Sequence, residues 1–278
     1  MTTTPTTSTE ARIDSALLDV LHAQWRALGV PFTETAVGEP LEVIDPEALL
    51  WCSLAYFGRE PRLEEGVRSW YATNRRRVNR QRLNTLAKHH AADPRSGAWR
   101  ALDGTPRSAT RGHAGRASAT AAGILLRARE VFGNDCAAHL LVALLGSPRG
   151  VRCRDVANAT GYTYRCVAET AAAWADAGLV RVEHGFCTLL SPAPFAELLR
   201  CRLEDIATVD WSAAYDCVIT LIRTLERARV AGLGDDRPVV KTAIADAHQA
   251  LVALSAGIPP SRCPAVTTLA AALAPPLT

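Results

Sequence analysis

The stretch that decides the fold runs from Asp155 to Phe186 and reads DVANATGYTYRCVAETAAAWADAGLVRVEHGF. It predicts a short helix, a glycine corner at Gly161, a second helix and a tight hairpin in immediate succession. Glycine supplies the positive φ that a sharp turn between two helices needs. Gly178 stands where a helix would end, and His184-Gly185, between strand-like residues, fits a two-residue hairpin turn.

The residues around this stretch complete a compact unit. Asp135 can cap a preceding helix, CAAHLLVALLG, which stops at Gly146. Thr163 has the chemistry of a cap for the third helix, and its expected buried stripe is Val167, Ala171 and Trp174. Three helices followed by a hairpin predict a winged helix over about residues 135–190.

Residues Arg154–Gly185, RDVANATGYTYRCVAETAAAWADAGLVRVEHG, resemble the winged helix-turn-helix domains of bacterial transcriptional regulators of the MarR and ArsR kind. The resemblance implies a third helix in the major groove of DNA and a hairpin against the backbone or the minor groove. The implied groove-facing residues are Thr163, Tyr164, Arg165, Ala168, Glu169 and Ala172. Arg181 and His184 would lie on the wing, and Arg152, Arg154 and Arg181 would hold phosphates.

A second candidate contact region lies in the amino-terminal half. Residues 59–116 contain 14 basic and 5 acidic residues, a balance of +9, so the remainder of this +3 chain sums to −6. The basic cluster Arg75, Arg76, Arg77, Arg80, Arg82 and Lys88 would neutralise phosphates without reading sequence. The alternative is a solvated helical face.

Periodicity and breaker residues divide the chain into six parts. The whole is expected to be mainly α, with helical regions on both sides of the winged helix. The predicted parts are a disordered tail (1–10), an amino-terminal helical domain (11–90), a basic linker rich in Gly, Pro and Ser (91–118), the winged helix-turn-helix domain (119–192), a carboxy-terminal helical region (193–257) and a loosely ordered tail (258–278).

Several function classes find no support in the sequence. The eight cysteines include no CxxC pair, so no metal and no cofactor are expected. No phosphate-binding loop, GxSxG or HExxH motif occurs, so an enzyme is not expected. No apolar run would span a bilayer and the amino terminus lacks a secretory pattern, which predicts a cytoplasmic protein without membrane contact.

The sequence therefore predicts a sequence-specific DNA-binding regulator whose partner is double-stranded DNA. The alternative is a protein-interaction role, for example an antitoxin-like regulatory partner of a neighbouring enzyme, with the winged helix as scaffold. The carboxy-terminal helices, including the face Tyr215, Val218, Ile219 and Ile222, either build a homodimer or complete the core of the monomer.

Overall fold

The computed structural model describes residues 8–33, 39–105, 121–235 and 237–274. Within these ranges the chain is mainly helical and has one small antiparallel sheet, as the sequence predicts. Two hydrophobic cores divide the elements into two lobes.

The first lobe, the helical lobe, combines helices from both ends of the chain. It contains α1 (Thr9–Ala27), α2 (Pro46–Ser53), α3 (Pro61–Asn74), α4 (Arg80–His89) and α5 (Pro94–Gly104). The second lobe, the central lobe, contains α6 (Ile124–Phe132), α7 (Cys136–Gly146), β1 (Val151–Arg152), α8 (Cys153–Thr160), α9 (Tyr164–Asp176), β2 (Val180–Glu183), β3 (Phe186–Leu189) and α10 (Pro192–Leu198). The chain then returns to the helical lobe with α11 (Trp211–Val230), α12 (Pro238–Leu254) and α13 (Pro264–Leu273).

The amino- and carboxy-terminal helices share a single core, although the sequence predicts them as two separate parts of the chain. Helix α11 packs against α1, α2 and α12. Its buried Tyr215 hydroxyl donates a hydrogen bond to the buried amide oxygen of Gln24 in α1. Burial against distant helices is a tertiary effect, and local periodicity carries no information about it.

The apolar face of α11 is occupied within one chain. Tyr215, Val218, Ile219 and Ile222 are all buried in the core of the helical lobe. These residues therefore complete the monomer core, and the homodimer stays a prediction that would need a different surface.

Three predicted irregular segments contain helices. Helix α1 begins at Thr9, inside the predicted tail, with Ser8 Oγ accepting from the Ala11 amide at 3.2 Å. Helix α5 lies inside the predicted linker and buries Trp99. Helix α13 lies inside the predicted loose tail, and Val266 and Leu269 join the core. The remaining parts of these predictions, 1–7, 106–118 and 275–278, lie outside the described residues.

The helices and the hairpin predicted for residues 136–189 are present with the predicted caps. Asp135 accepts from the Ala137 amide at 2.9 Å, and Thr163 accepts from the Cys166 amide at 3.2 Å. Gly178 has φ 70°, and the Leu179 amide donates to the Trp174 carbonyl at 2.9 Å, which is the backbone pattern of a Schellman cap.

The sheet has the order β1-β3-β2, and all of its pairs are antiparallel. His184 and Gly185 have φ of 51° and 77°, as a tight turn with two left-handed residues requires. Glu183 and Arg152 both lie opposite Phe186, so these three residues share one face of the sheet.

The buried stripe of α9 is narrower than predicted. Val167 and Ala171 are buried, whereas Trp174 is only partly buried and packs beside Phe132, with ring centroids 6.4 Å apart. Trp174 therefore covers the edge of the central-lobe core instead of filling it.

Candidate nucleic-acid interface

The exposed start of α9 follows directly from the turn before it. Gly161 ends α8 in the left-handed region, with φ 72°, and of the two residues that follow only Tyr162 packs against the core. Thr163 then caps α9 on the outside of the lobe. As a result Tyr164 and Arg165, in the first turn of α9, project into solvent, with 48% of Tyr164 and 84% of the Arg165 side chain exposed.

The predicted groove-facing residues lie on one exposed strip of α9. Thr163, Glu169 and Ala172 are exposed like Tyr164 and Arg165, whereas Ala168 is only partly exposed. Arg165 Nε lies 2.7 Å from Glu169 Oε1, one helical turn away. An exposed pair of this kind contributes less than about 1 kcal/mol, so a ligand can separate the two side chains at little cost.

The predicted phosphate contacts come from β1, α8 and β2. Arg152, Arg154 and Arg181 are exposed, as is His184 at the hairpin tip. Arg181 Nε lies 3.8 Å from Glu183 Oε1, and both side chains are about two-thirds exposed.

Tyr164 joins α8, α9 and the hairpin into one surface. The Arg154 guanidinium lies 5.6 Å from the centroid of the Tyr164 ring, within the range of a cation–π contact. The Tyr164 hydroxyl lies 3.9 Å from the position that a Cβ would take at Gly185. The three elements that carry the predicted contacts therefore meet at one side chain.

Sequence reasoning missed two exposed apolar residues of the hairpin, Val182 and Phe186, which lie on opposite faces of the sheet. The register of a two-residue hairpin was a usable signal, because it places Phe186 opposite Glu183. Phe186 makes the face that it shares with Arg152 and Glu183 more apolar than the charged residues alone suggest.

The amino-terminal basic cluster is largely paired within the molecule. Arg75 and Arg80 both bind Asp103, at 2.8 and 2.6 Å, and hydrogen bonds from Arg80 and Tyr71 lower the pKa of that carboxyl although burial opposes the shift. Arg77 forms an ion pair with Glu130. Arg76 and Lys88 are exposed, and neither has an acidic partner among the residues that the structure describes.

The predicted phosphate contact of Arg82 is wrong, because this residue is buried and cannot reach a phosphate. Its Nη1 lies 2.7 Å from Asp45 and 3.2 Å from Glu47, and its Nη2 donates to Ser212 at 3.1 Å. Arg82 is thus a structural residue that ties α4 to α2 and α11. The expected phosphate role of Arg75 and Arg77 also loses support, since each is less than a quarter exposed and already has a carboxylate, whereas Arg80 is paired but about half exposed.

Glu47 lies at the centre of an ion-pair network between the two lobes. It is fully buried, and its Oε2 lies 2.6 Å from Nη2 of Arg129 in the central lobe. Nearby, Arg82 lowers the pKa of Asp45 to about 2, although burial opposes the shift. The sequence gives no signal for this network, because its members come from α2, α4, α6 and α7.

The same network offers three atoms of the kinds that ligate metals. Asp45, Glu47 and His139 place one donor atom each within 4.8 Å of one another. Two guanidinium groups, Arg82 and Arg129, already neutralise the two carboxylates, and a divalent cation would add charge where charge is balanced. The cluster is therefore an ion-pair network and not a metal site.

A cavity of about 390 Å³ lies beside the network, between the two lobes. Its polar lining includes Asp45, His139 and Asp210, and it reaches Arg152 and Phe186 of the sheet. Burial raises the pKa of Asp210, which caps α11 through the Ala213 amide. The cavity thus connects the lobe junction to the candidate interface.

Comparison of the chain with protein-family models, with curated proteins and with solved structures found no match. Within the described ranges, no helix has both the length and the hydropathy needed to cross a membrane. The functional assignment therefore rests on the geometry of this chain.

Proposed function

We propose that the chain is a sequence-specific DNA-binding regulator, and that α7, α8, α9 and the β2–β3 hairpin act as a winged helix-turn-helix. One observation carries the proposal. The turn at Gly161 presents the first turn of α9 to solvent beside the hairpin, and Tyr164 links both to Arg154. This is the placement that major-groove reading by a second helix needs.

In the proposed complex the residues divide by role. Arg165 leaves Glu169 and donates its guanidinium hydrogens to base edges in the major groove, where guanine offers two acceptors. Arg152, Arg154 and Arg181 bind phosphates and fix the register of α9 on the duplex. The hairpin, with His184 at its tip, lies against the backbone.

A protein-interaction role is the second candidate, and a specific observation favours it. Tyr164 and Phe186 are each more than a third exposed, on α9 and the hairpin, which also carry the exposed Arg165 and Arg181. Aromatic side chains and arginine are enriched in protein interfaces.

Selection from a random-sequence duplex library, followed by binding titrations on the selected site, tests the proposal. Arg165→Ala should weaken binding to the selected site about 5- to 150-fold, equivalent to 1–3 kcal/mol, and relax preference at the bases it reads. The matched control is Arg229→Ala, which removes an exposed arginine paired with Glu10 on the helical lobe.

The control should bind the selected site like the parent. Failure to select any sequence, or equal affinity of Arg165→Ala and parent, would contradict the DNA-reading role. A protein that co-purifies with the chain in stoichiometric amount, together with absent DNA affinity, would favour the second candidate.

A further inference from the structure

Two cysteines from different helices of the central lobe lie in direct contact. Cys136 is the first residue of α7 and Cys166 lies in the first turn of α9, and their Sγ atoms are 3.0 Å apart. Cys136 Sγ is also 3.0 Å from Thr170 Oγ1. Packing of α7 against α9 brings the two thiols together from positions 30 residues apart in the sequence.

This contact distinguishes the pair from the other cysteines. All eight cysteines lie in the described ranges and are free thiols, and no other two of them are hydrogen-bonded to each other. Cys201 and Cys217, for example, contact only backbone carbonyl oxygens. A disulfide has its sulfur atoms about 2.05 Å apart, so the two Sγ atoms need to approach by only about 1 Å.

We propose that Cys136 and Cys166 form a site of reversible oxidation, at which a peroxide converts the two thiols into an intramolecular disulfide between α7 and α9. The disulfide itself does not depend on the proposed DNA-binding function. Any effect of the disulfide on DNA affinity does depend on that function, because Cys166 follows Arg165. The Cys166 amide also donates the capping hydrogen bond to Thr163.

The oxidation takes two steps. The Cys166 thiolate attacks one peroxide oxygen, the O–O bond breaks, and Cys166 becomes a sulfenic acid, while the other oxygen takes up the proton that the Cys166 thiol released and leaves as water. The Cys136 sulfur then attacks the Cys166 sulfur, an S–S bond forms, and the hydroxyl leaves as a second water with the proton of Cys136. The two thiols lose two electrons and two protons, and hydrogen peroxide is reduced to two waters.

The surroundings of the two sulfurs assign the order of these steps. Cys166 is partly exposed and accessible to a small oxidant, whereas Cys136 is buried. Burial also raises the pKa of the Cys136 thiol to about 12, which makes it a poor first nucleophile. Cys136 is therefore the resolving thiol.

Peptide mapping of the full-length protein tests the site without any variant. The reduced protein is treated with hydrogen peroxide, alkylated and digested with trypsin, and its peptides are identified by mass. Cys136 and Cys166 lie in separate tryptic peptides, 130–149 and 166–181, each with a single cysteine. We expect these two peptides to be recovered joined, with a loss of two hydrogen atoms, and to separate again after treatment with dithiothreitol.

Variants then test the specificity of the pair. Cys136→Ser and Cys166→Ser should each prevent the loss of two hydrogen atoms, whereas Cys217→Ser in the helical lobe should not. Recovery of both peptides fully alkylated after peroxide, or a joined pair that involves other cysteines, would overturn the proposal. The DNA affinity of oxidised and reduced parent protein is a separate measurement. It tests the effect on DNA binding, whereas the peptide map alone tests formation of the disulfide.

Discussion

At the scale of single residues, Glu47 shows how the two lobes are held together. A carboxylate without solvent is costly unless it is paired and its remaining acceptor sites are filled. Both oxygens of Glu47 are used: Oε1 accepts from the Asn79 amide at 2.8 Å, and Oε2 faces Arg129 and Arg82. Loss of one partner should therefore cost far more than loss of an exposed pair.

Arg129→Met should lower the free energy of unfolding by about 3–5 kcal/mol, because it leaves the Glu47 carboxylate buried without its closest partner. The double variant Glu47→Gln/Arg129→Met should recover much of this loss, since it removes the unpaired charge. Urea unfolding of the three proteins measures both effects. A single variant within 1 kcal/mol of the parent would show that the network contributes little to stability.

His139 makes the same junction sensitive to acid. Burial and then the charge of Arg129 hold the pKa of His139 well below its ordinary 6.5, although Asp45 opposes the shift. The folded state therefore binds a proton on this ring less readily than the unfolded state does. Stability from this group is complete above pH 6.5 and is lost as the pH falls below that value.

The drop in the free energy of unfolding between pH 7.5 and 5.5 should be about 1 kcal/mol larger in the parent than in His139→Gln, which cannot titrate there. His22, whose pKa is lowered by burial, contributes equally to both proteins and cancels. Urea titrations at the two pH values supply the comparison. Equal drops would mean that His139 does not titrate on unfolding as described.

At the scale of elements, glycines with positive φ set the ends of the helices in the central lobe. Gly161 ends α8 with φ 72° and Gly178 ends α9 with φ 70°. A Cβ at Gly178 would meet no atom within 4 Å, so only the backbone conformation opposes a side chain there. Gly97, inside α5, also has open space but an ordinary φ.

Gly178→Ala should therefore destabilise the protein by about 1–2 kcal/mol, the cost of a left-handed residue with a Cβ. Gly97→Ala is the matched control and should stabilise it by about 0.5–1 kcal/mol, because alanine is the better residue inside a helix. Thermal melts compare both with the parent. A stabilising Gly178→Ala would contradict the cap, and a destabilising Gly97→Ala would contradict helix α5.

Which elements the sequence predicted depends on how local their causes are. The caps at Asp135, Thr163 and Gly178 are set by residues within one helical turn, and all three were predicted correctly. The stretch around α5, DPRSGAWRALDG, predicts a linker because it contains proline, serine and two glycines. The stability of α5 comes from the buried Trp99, whose ring centroid lies 5.6 Å from that of Tyr71. Only the tertiary fold provides this contact.

The exposed residues of the candidate interface could be predicted individually, because the causes of their exposure are also local. The exposed start of α9 and the hairpin tip follow from neighbouring turn residues, and Arg165 and His184 are exposed as expected. The partners of the basic cluster could not be predicted, because Arg77 and its Glu130 lie 53 residues apart. Local sequence patterns do not indicate which distant carboxylate lies next to which arginine.

At the scale of the whole molecule, charge pairing changes the meaning of the basic segment. Residues 59–116 carry a balance of +9, and acids outside the segment compensate part of it. Asp45, Glu47 and Glu130 pair with Arg82 and Arg77, and Arg95 also lies 3.1 Å from Asp216. Much of the apparent basic patch therefore forms ion pairs within the molecule. The described part of the segment carries less unpaired positive charge than the balance of +9 suggests.

The slope of log affinity against log salt concentration, measured on the selected duplex, tests the proposed DNA-binding surface most directly. Arg152→Gln/Arg154→Gln/Arg181→Gln should lower the slope by roughly 2 to 3, since each lost phosphate contact removes about 0.9. Arg75→Gln/Arg76→Gln/Arg77→Gln removes the same charge from the helical lobe and should stay within roughly half a unit of the parent's slope. Circular dichroism of both variants confirms that they fold. An unchanged slope for the central-lobe variant, or a larger change for the helical-lobe variant, would contradict DNA binding through α9 and the hairpin.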